Sequence, residues 1–153
     1  MIDIRIIHGG FEHIELLAPL LDAYRQFYGQ DADLEGARSF LHDRIGNLES
    51  VVYFALGARE GREFPLGFVQ LYPSFSTVSM QRVWNLNDLY VTPEFRRHGV
   101  GRALIEKARQ LAVATDAKGL VLSTAHDNHE SQALYHQTGF IRDDEFHHYF
   151  LPV

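Results

Sequence analysis

Leu89-Tyr90-Val91-Thr92-Pro93-Glu94-Phe95-Arg96-Arg97-His98-Gly99-Val100-Gly101-Arg102-Ala103-Leu104 is the stretch whose reading decides the fold. A β-prone run is stopped at Pro93, turns through two glycines and enters a strongly amphipathic helical pattern. A strand that feeds through such a turn into a helix N-terminus gathers unpaired N–H groups and the positive end of the helix dipole at one point. That is an anion site, and phosphate is the usual occupant. Arg96, Arg97, His98 and Arg102 add positive charge. A glycine turn with solvated arginines is the plainer alternative for the same residues. Two common phosphate motifs are excluded: Leu104 stands where the dinucleotide fingerprint needs a third small residue, and no Gly-Lys-Ser/Thr triplet occurs.

Working outward, Ile2, Ile4 and Ile6 alternate with polar residues as a half-buried first strand. Residues 12–28 place Ile14, Leu17, Leu20, Leu21 and Tyr24 at three- and four-residue spacing, a helix with Gly29 as its stop. A second helix is predicted over 33–45, and strands over 51–56 and 66–72 as an antiparallel hairpin. Gln70 to Ser76 reads as an aromatic-polar loop suited to specificity. A strand over 83–91, the helix over 99–114, an apolar strand over 120–122, a helix over 128–137 and a last strand within 146–151 complete the order. That order implies a mixed sheet covered by helices, with a parallel crossover around the Gly99 helix.

The chain has 153 residues, 46% apolar and 22% charged, which predicts one folded domain and excludes disorder and fibrous repeats. A net charge of -6 disfavours nucleic acid and acidic lipid surfaces as partners, and the absence of Cys excludes thiol catalysis and thiolate metal sites. No signal segment or membrane-spanning run is read, so a cytoplasmic location is expected. The charge is uneven. Residues 1–50 hold nine acidic side chains against four arginines, a bias that suits a cationic acceptor, whereas 96–109 hold five basic residues and one acidic. Among the nine histidines, His126-x-x-His129 and His147-His148 lack a third ligand at matching spacing, so no metal site is expected.

A second pattern follows the apolar strand: Asn128-x-x-Ser131-x-x-Leu134-Tyr135-x-x-x-Gly139-Phe140. Helical spacing puts Asn128, Ser131 or Gln132, and Tyr135 on one face. Asp127-x-x-Glu130 is also a possible capping box, and Tyr135 by itself could be a core residue. Together, Arg96-x-x-Gly99-x-Gly101 and this second pattern resemble the two motifs of the GNAT superfamily of acyl-CoA-dependent N-acyltransferases. Ser131 in place of a small Ala is the one mild departure. The resemblance covers about residues 83–140. It implies an α/β (α+β) fold over 1–153: a mixed, mostly antiparallel central sheet, splayed at the acyl-CoA site and flanked by about four helices.

The resemblance further implies an acetyl-CoA-dependent N-acetyltransferase acting by direct attack in a ternary complex. Backbone amides over Arg96, Arg97, His98, Gly99, Val100, Gly101 and Arg102 hold the coenzyme pyrophosphate. Leu89, Tyr90 and Val91 meet the pantetheine, as does Asn128, and a backbone N–H near Leu89 binds the thioester oxygen. Tyr135 protonates the departing thiolate. Diamine acetyltransferases often carry Leu-Glu-Asp on this strand with the Glu aimed at the acceptor. Here Asn87 occupies the Glu position, which leaves Asp88 or a water chain ordered by Asn87 as candidate base. Strand alternation sends Asp88 to the opposite face unless a bulge intervenes. Tyr24, Tyr28, Tyr72 and Trp84, with Asn87, are candidate acceptor-pocket residues, and the acceptor is a small-molecule amine or a protein amino group. Relatives are often homodimers, with the last strand as an exchange element. A non-catalytic acyl-CoA-binding module is the alternative function, motivated by the missing Glu at 87.

Overall fold

Alternating apolar and polar residues build β1 (Asp3–His8), which runs antiparallel to β2 (Val51–Arg59). The computed structural model describes residues 2–153. Beyond β2 come β3 (Arg62–Ser76), β4 (Gln81–Val91) and β5 (Gly119–Val121), giving one sheet in the order β1-β2-β3-β4-β5. The first four strands are antiparallel neighbours, and β5 lies parallel to β4 after a crossover through α3 (Val100–Ala114). The helices α1 (Ile14–Phe27) and α2 (Leu34–Gly46) precede β2, and α4 (His129–Gln137) follows β5. The chain divides into two compact units, one ending at Ser123 and the other Thr124–Val153.

In the first unit both sheet faces are covered. Val52, Phe54, Leu56, Phe68 and Tyr90 share a core with Leu17, Leu21, Ala37 and Leu41 of α1 and α2. On the opposite face, α3 buries Val100, Leu104, Ile105, Ala108 and Ala112 and sets Lys107 Nζ 5.6 Å from the centre of the Tyr53 ring. Asp22, itself buried, joins the helices: its Oδ1 accepts the Asp33 N–H at 2.8 Å, and the Asp33 side chain in turn caps α2 on Gly36 N–H. At the other end of the sheet, Gly67 lies so close to β4 that a Cβ there would stand 2.3 Å from the Tyr90 carbonyl oxygen.

Two expectations are corrected. The predicted loop from Gln70 to Ser76 is strand, pairing with β4 through Ser76↔Gln81. Pro73 is tolerated there because β2 pairs β3 only as far as Val51↔Leu71, so no neighbour needs the missing N–H. The strand expected within 146–151 does not form; Phe146, Tyr149, Phe150 and Leu151 are exposed and in no ladder. Its residue types are β-prone, but a strand also needs a neighbouring edge to pair with.

Candidate active site

The glycine turn is built as its residues predict. Arg97 and Gly99 both adopt left-handed backbone, with φ of 64° and 84°, and residues 97–99 are exposed. Gly99 is the N-cap of α3 and offers no side chain to the helix start, so the leading amides of Val100 and Gly101 have no side-chain cap. Behind the turn the chain is pinned: the backbone N–H and hydroxyl of Thr92 both donate to the Leu66 carbonyl, at 2.9 and 3.2 Å. Arg96 Nε donates to the Val91 carbonyl, and its guanidinium lies over the rings of Phe27 and Tyr90. Arg96 therefore braces strand exit against α1, while the uncapped amides at the start of α3 and the neighbouring cations are donors of the kind that suit a pyrophosphate.

One strand turn upstream, β4 carries a bulge. Gln70 pairs with Asp88 but Leu71 pairs with Leu86, so Asn87 is the extra residue. This is the bulge on which the placement of Asp88 depended. Side chains on either side of it are re-aimed: Trp84 donates from Nε1 to Thr115 Oγ1 at the end of α3, whereas Asp88 turns toward Tyr24 of α1. Asp88 is buried at 7% exposure. Its Oδ2 accepts from Gln70 Nε2 at 2.9 Å and its Oδ1 from Asn87 Nδ2 at 3.0 Å. Tyr24 and Tyr72 both sense it: burial first, then the Asp88 charge, raises the hydroxyl of each, Tyr72 to about 12, with Arg44 opposing at Tyr72. Both phenols are thus neutral hydrogen-bond donors at ordinary pH. From Asn85 onward β4 leaves β5, whose ladder ends at Asn85↔Val121, so no strand pairs with Leu89, Tyr90 or Val91 on that side, although the Val91 carbonyl is taken by Arg96.

In the second unit, α4 starts at His129 with Asn128 as its cap, Oδ1 accepting from the Ser131 N–H at 3.3 Å. Asn128, not Asp127, is therefore the capping residue. Gln132 holds the entering chain through the Ala125 and His126 carbonyls, and the Tyr135 ring meets Phe140 edge-on at 5.6 Å.

A family model described as "Acetyltransferase (GNAT) family" matches residues 17–140. The chain belongs to the GNAT family of acetyltransferases. This GNAT chain is 47% identical over 137 residues to an uncharacterized N-acetyltransferase, YhfO, of Bacillus subtilis (strain 168), covering 90% of this chain and 89% of that protein. It is 35% identical over 117 residues to a probable acetyltransferase of Haemophilus influenzae, covering 76% and 78%. The crystal structure of a probable acetyltransferase superposes with a TM-score of 0.90 at 47% identity, over 97% of each chain. An aminoglycoside N-acetyltransferase solved in complex with CoA shares the fold, with a TM-score of 0.80 at 17% identity over 100% of this chain and 97% of its own. The sheet and four helices are thus those of the GNAT fold, and the chain is an acyltransferase of the N-acetyl class.

Of the expected acceptor residues in this GNAT enzyme, Tyr24, Tyr72 and Asn87 gather on Asp88. Tyr28 is half exposed and packs edge-on against Tyr24, with ring centres 5.0 Å apart. Trp84 lies on the α3 side, away from them. Gln70 enters the sequence reading only as the first residue of the expected specificity loop, and its pairing with Asp88 makes it part of the group. The only signal for it is register, which a single strand does not reveal.

Among the described residues no helix is long and apolar enough to cross a membrane, and no three His, Asp or Glu gather as a metal-holding group.

Proposed function

We propose that this enzyme transfers an acetyl group from acetyl-CoA to a primary amine, on a small molecule or an exposed protein amino group, by direct attack. The observation that carries the reading is the uncapped, glycine-led start of α3 directly behind β4, on the stretch where β4 has parted from β5. Amides and cations over Arg96 to Arg102 hold the pyrophosphate, the backbone of Leu89 to Val91 takes the pantetheine, and a Leu89 N–H polarises the thioester oxygen. Asn128 adds a pantetheine contact from the start of α4. Acetyl-CoA supplies the activated acyl group.

Asp88 is the base. It is the buried carboxylate beside Leu89, and it takes the proton that the incoming ammonium must lose before its lone pair can attack. The C–N bond forms as the C–S bond breaks, the Tyr135 hydroxyl gives its proton to the thiolate, and the surplus proton on the new amide nitrogen passes through solvent to the Tyr135 phenolate. The whole of 1–153 works as one domain, a reading supported by the family match running through both units. The enzyme belongs in the cytoplasm, where CoA thioesters are metabolites. It forms a homodimer, supported by the exposed apolar side chains Phe146, Tyr149, Phe150 and Leu151.

Titration calorimetry with acetyl-CoA, followed by CoA release over a broad amine panel, tests the reading. Binding with turnover supports it. Binding without turnover on any amine converts the protein to a sensor module, and no binding removes the function altogether.

A further inference from the structure

Gln70 is 1% exposed, in the middle of the sheet, and its two polar atoms are treated differently. Nε2 is spent on Asp88 Oδ2, while Oε1 is buried with no hydrogen-bond partner. A buried acceptor left unmade is costly, and native proteins keep one where something else supplies the donor. Asp88 poses the same question in charge. It is buried, its hydrogen-bond donors Gln70 and Asn87 are neutral, and among the described residues no Lys, Arg or His stands within ion-pair distance. Arg44, close enough to Tyr72 to act on its hydroxyl, pairs with Glu49 at 3.3 Å, and its Nε makes no hydrogen bond. An unpaired buried carboxylate and an orphaned amide oxygen, joined through one carboxamide, together lack a single thing: a cation with at least two N–H bonds.

We infer that Gln70 and Asp88 form a two-point receptor for the acceptor's ammonium group, Asp88 taking one N–H and Gln70 Oε1 a second. The inference rests on the acetyl-transfer reading and deepens it by naming the pair of residues that select the acceptor. One N–H bond passes its proton to Asp88, and the Gln70 oxygen keeps hold of a second, fixing the direction of the freed lone pair. Gln70 is accordingly a specificity residue. It selects amines by the number of their N–H bonds, and amines with one or none are refused although their charge is the same.

The test uses the full chain with CoA bound, so that no acetyl group is present to react. Butylamine, N,N-dimethylbutylamine and N,N,N-trimethylbutylammonium are titrated by calorimetry into the unaltered protein, Gln70→Met and Asp88→Asn. The three probes carry one positive charge and differ in N–H count. In the unaltered protein butylamine binds roughly tenfold or more tighter than the trimethyl cation, the worth of a charge-assisted hydrogen bond, with the dimethyl probe between them. Gln70→Met, which keeps volume, erases most of that spread but not the attraction to cations, whereas Asp88→Asn weakens all three. Acetyl-CoA affinity, measured on each protein, reports folding and the coenzyme site. If no variant nor the unaltered protein binds acetyl-CoA, the acetyl-transfer reading fails. If all bind it, and either no probe binds or the N–H series is the same with Met at 70, the ammonium receptor is overturned.

Discussion

Two carboxylates are buried in this protein to nearly the same degree, Asp22 at 8% and Asp88 at 7% exposure, and their surroundings could hardly differ more. Asp22 lies on α1 among partners that complete it: the Asp33 N–H, the Gln26 amide and the Arg25 guanidinium at 3.5 Å. Asp88 has two neutral amides and two tyrosines that its charge disturbs. A buried charge with its counter-charge at hand is part of the scaffold. One without it holds an unmet electrostatic demand, which a ligand can meet, and that difference separates joint from site even though burial alone does not.

Substitution at the two positions should therefore split activity from stability. Asp88→Asn is expected to lower kcat/KM by about a hundredfold or more, the usual worth of a positioned base, with a melting temperature unchanged or raised. A melting temperature that falls with activity intact would reverse the comparison. Tyr135→Phe isolates the proton-donating half. It is expected to lower kcat by tenfold to about a hundredfold while calorimetric acetyl-CoA affinity stays within about twofold. Asp22→Ala should do the opposite of Asp88→Asn: a loss of about 1–3 kcal/mol in denaturant unfolding, roughly 2–4 °C in Tm for each kcal/mol, and no change in kcat/KM.

The smallest effect sharpens the contrast through pH. Tyr72 holds its proton to about 12 in the folded chain, whereas an unburied tyrosine loses it near 10. Below pH 10 both states are protonated and the residue adds no pH dependence. As pH rises from 10 toward 12 the unfolded chain binds fewer protons than the folded one, so stability falls across that window. Tyr72→Phe should flatten the fall, measured by denaturant unfolding at pH 9, 10 and 11. Asp88→Asn should narrow the window, because the neighbouring charge is part of its cause.

What the sequence made legible was what short spacing encodes. The glycine turn, the amphipathic helices and the order of elements depend on residues within a few positions of each other, and α3 begins one residue from its expected start. The pairing of Gln70 with Asp88 depends on where two strands slip by one residue, at Asn87, and neither strand specifies that alone. Pro73 and the serines beside it make 70–76 look like a loop, yet these residues are strand because β2 has already ended. The acidic excess of residues 1–50 was a poor guide to the site. Glu15 and Glu35 are spent on Arg38 and Glu49 on Arg44, while the carboxylate of consequence lies on β4.

Pro73 has one more consequence. Past Leu71 the β2-facing side of β3 is an open strand border, of the kind that templates the addition of a foreign strand. A residue with no N–H at the second of that border's five positions breaks the run of donors that a stacking chain would need. The same residue that disguises this segment as a loop thus keeps this strand border from becoming a seed for aggregates.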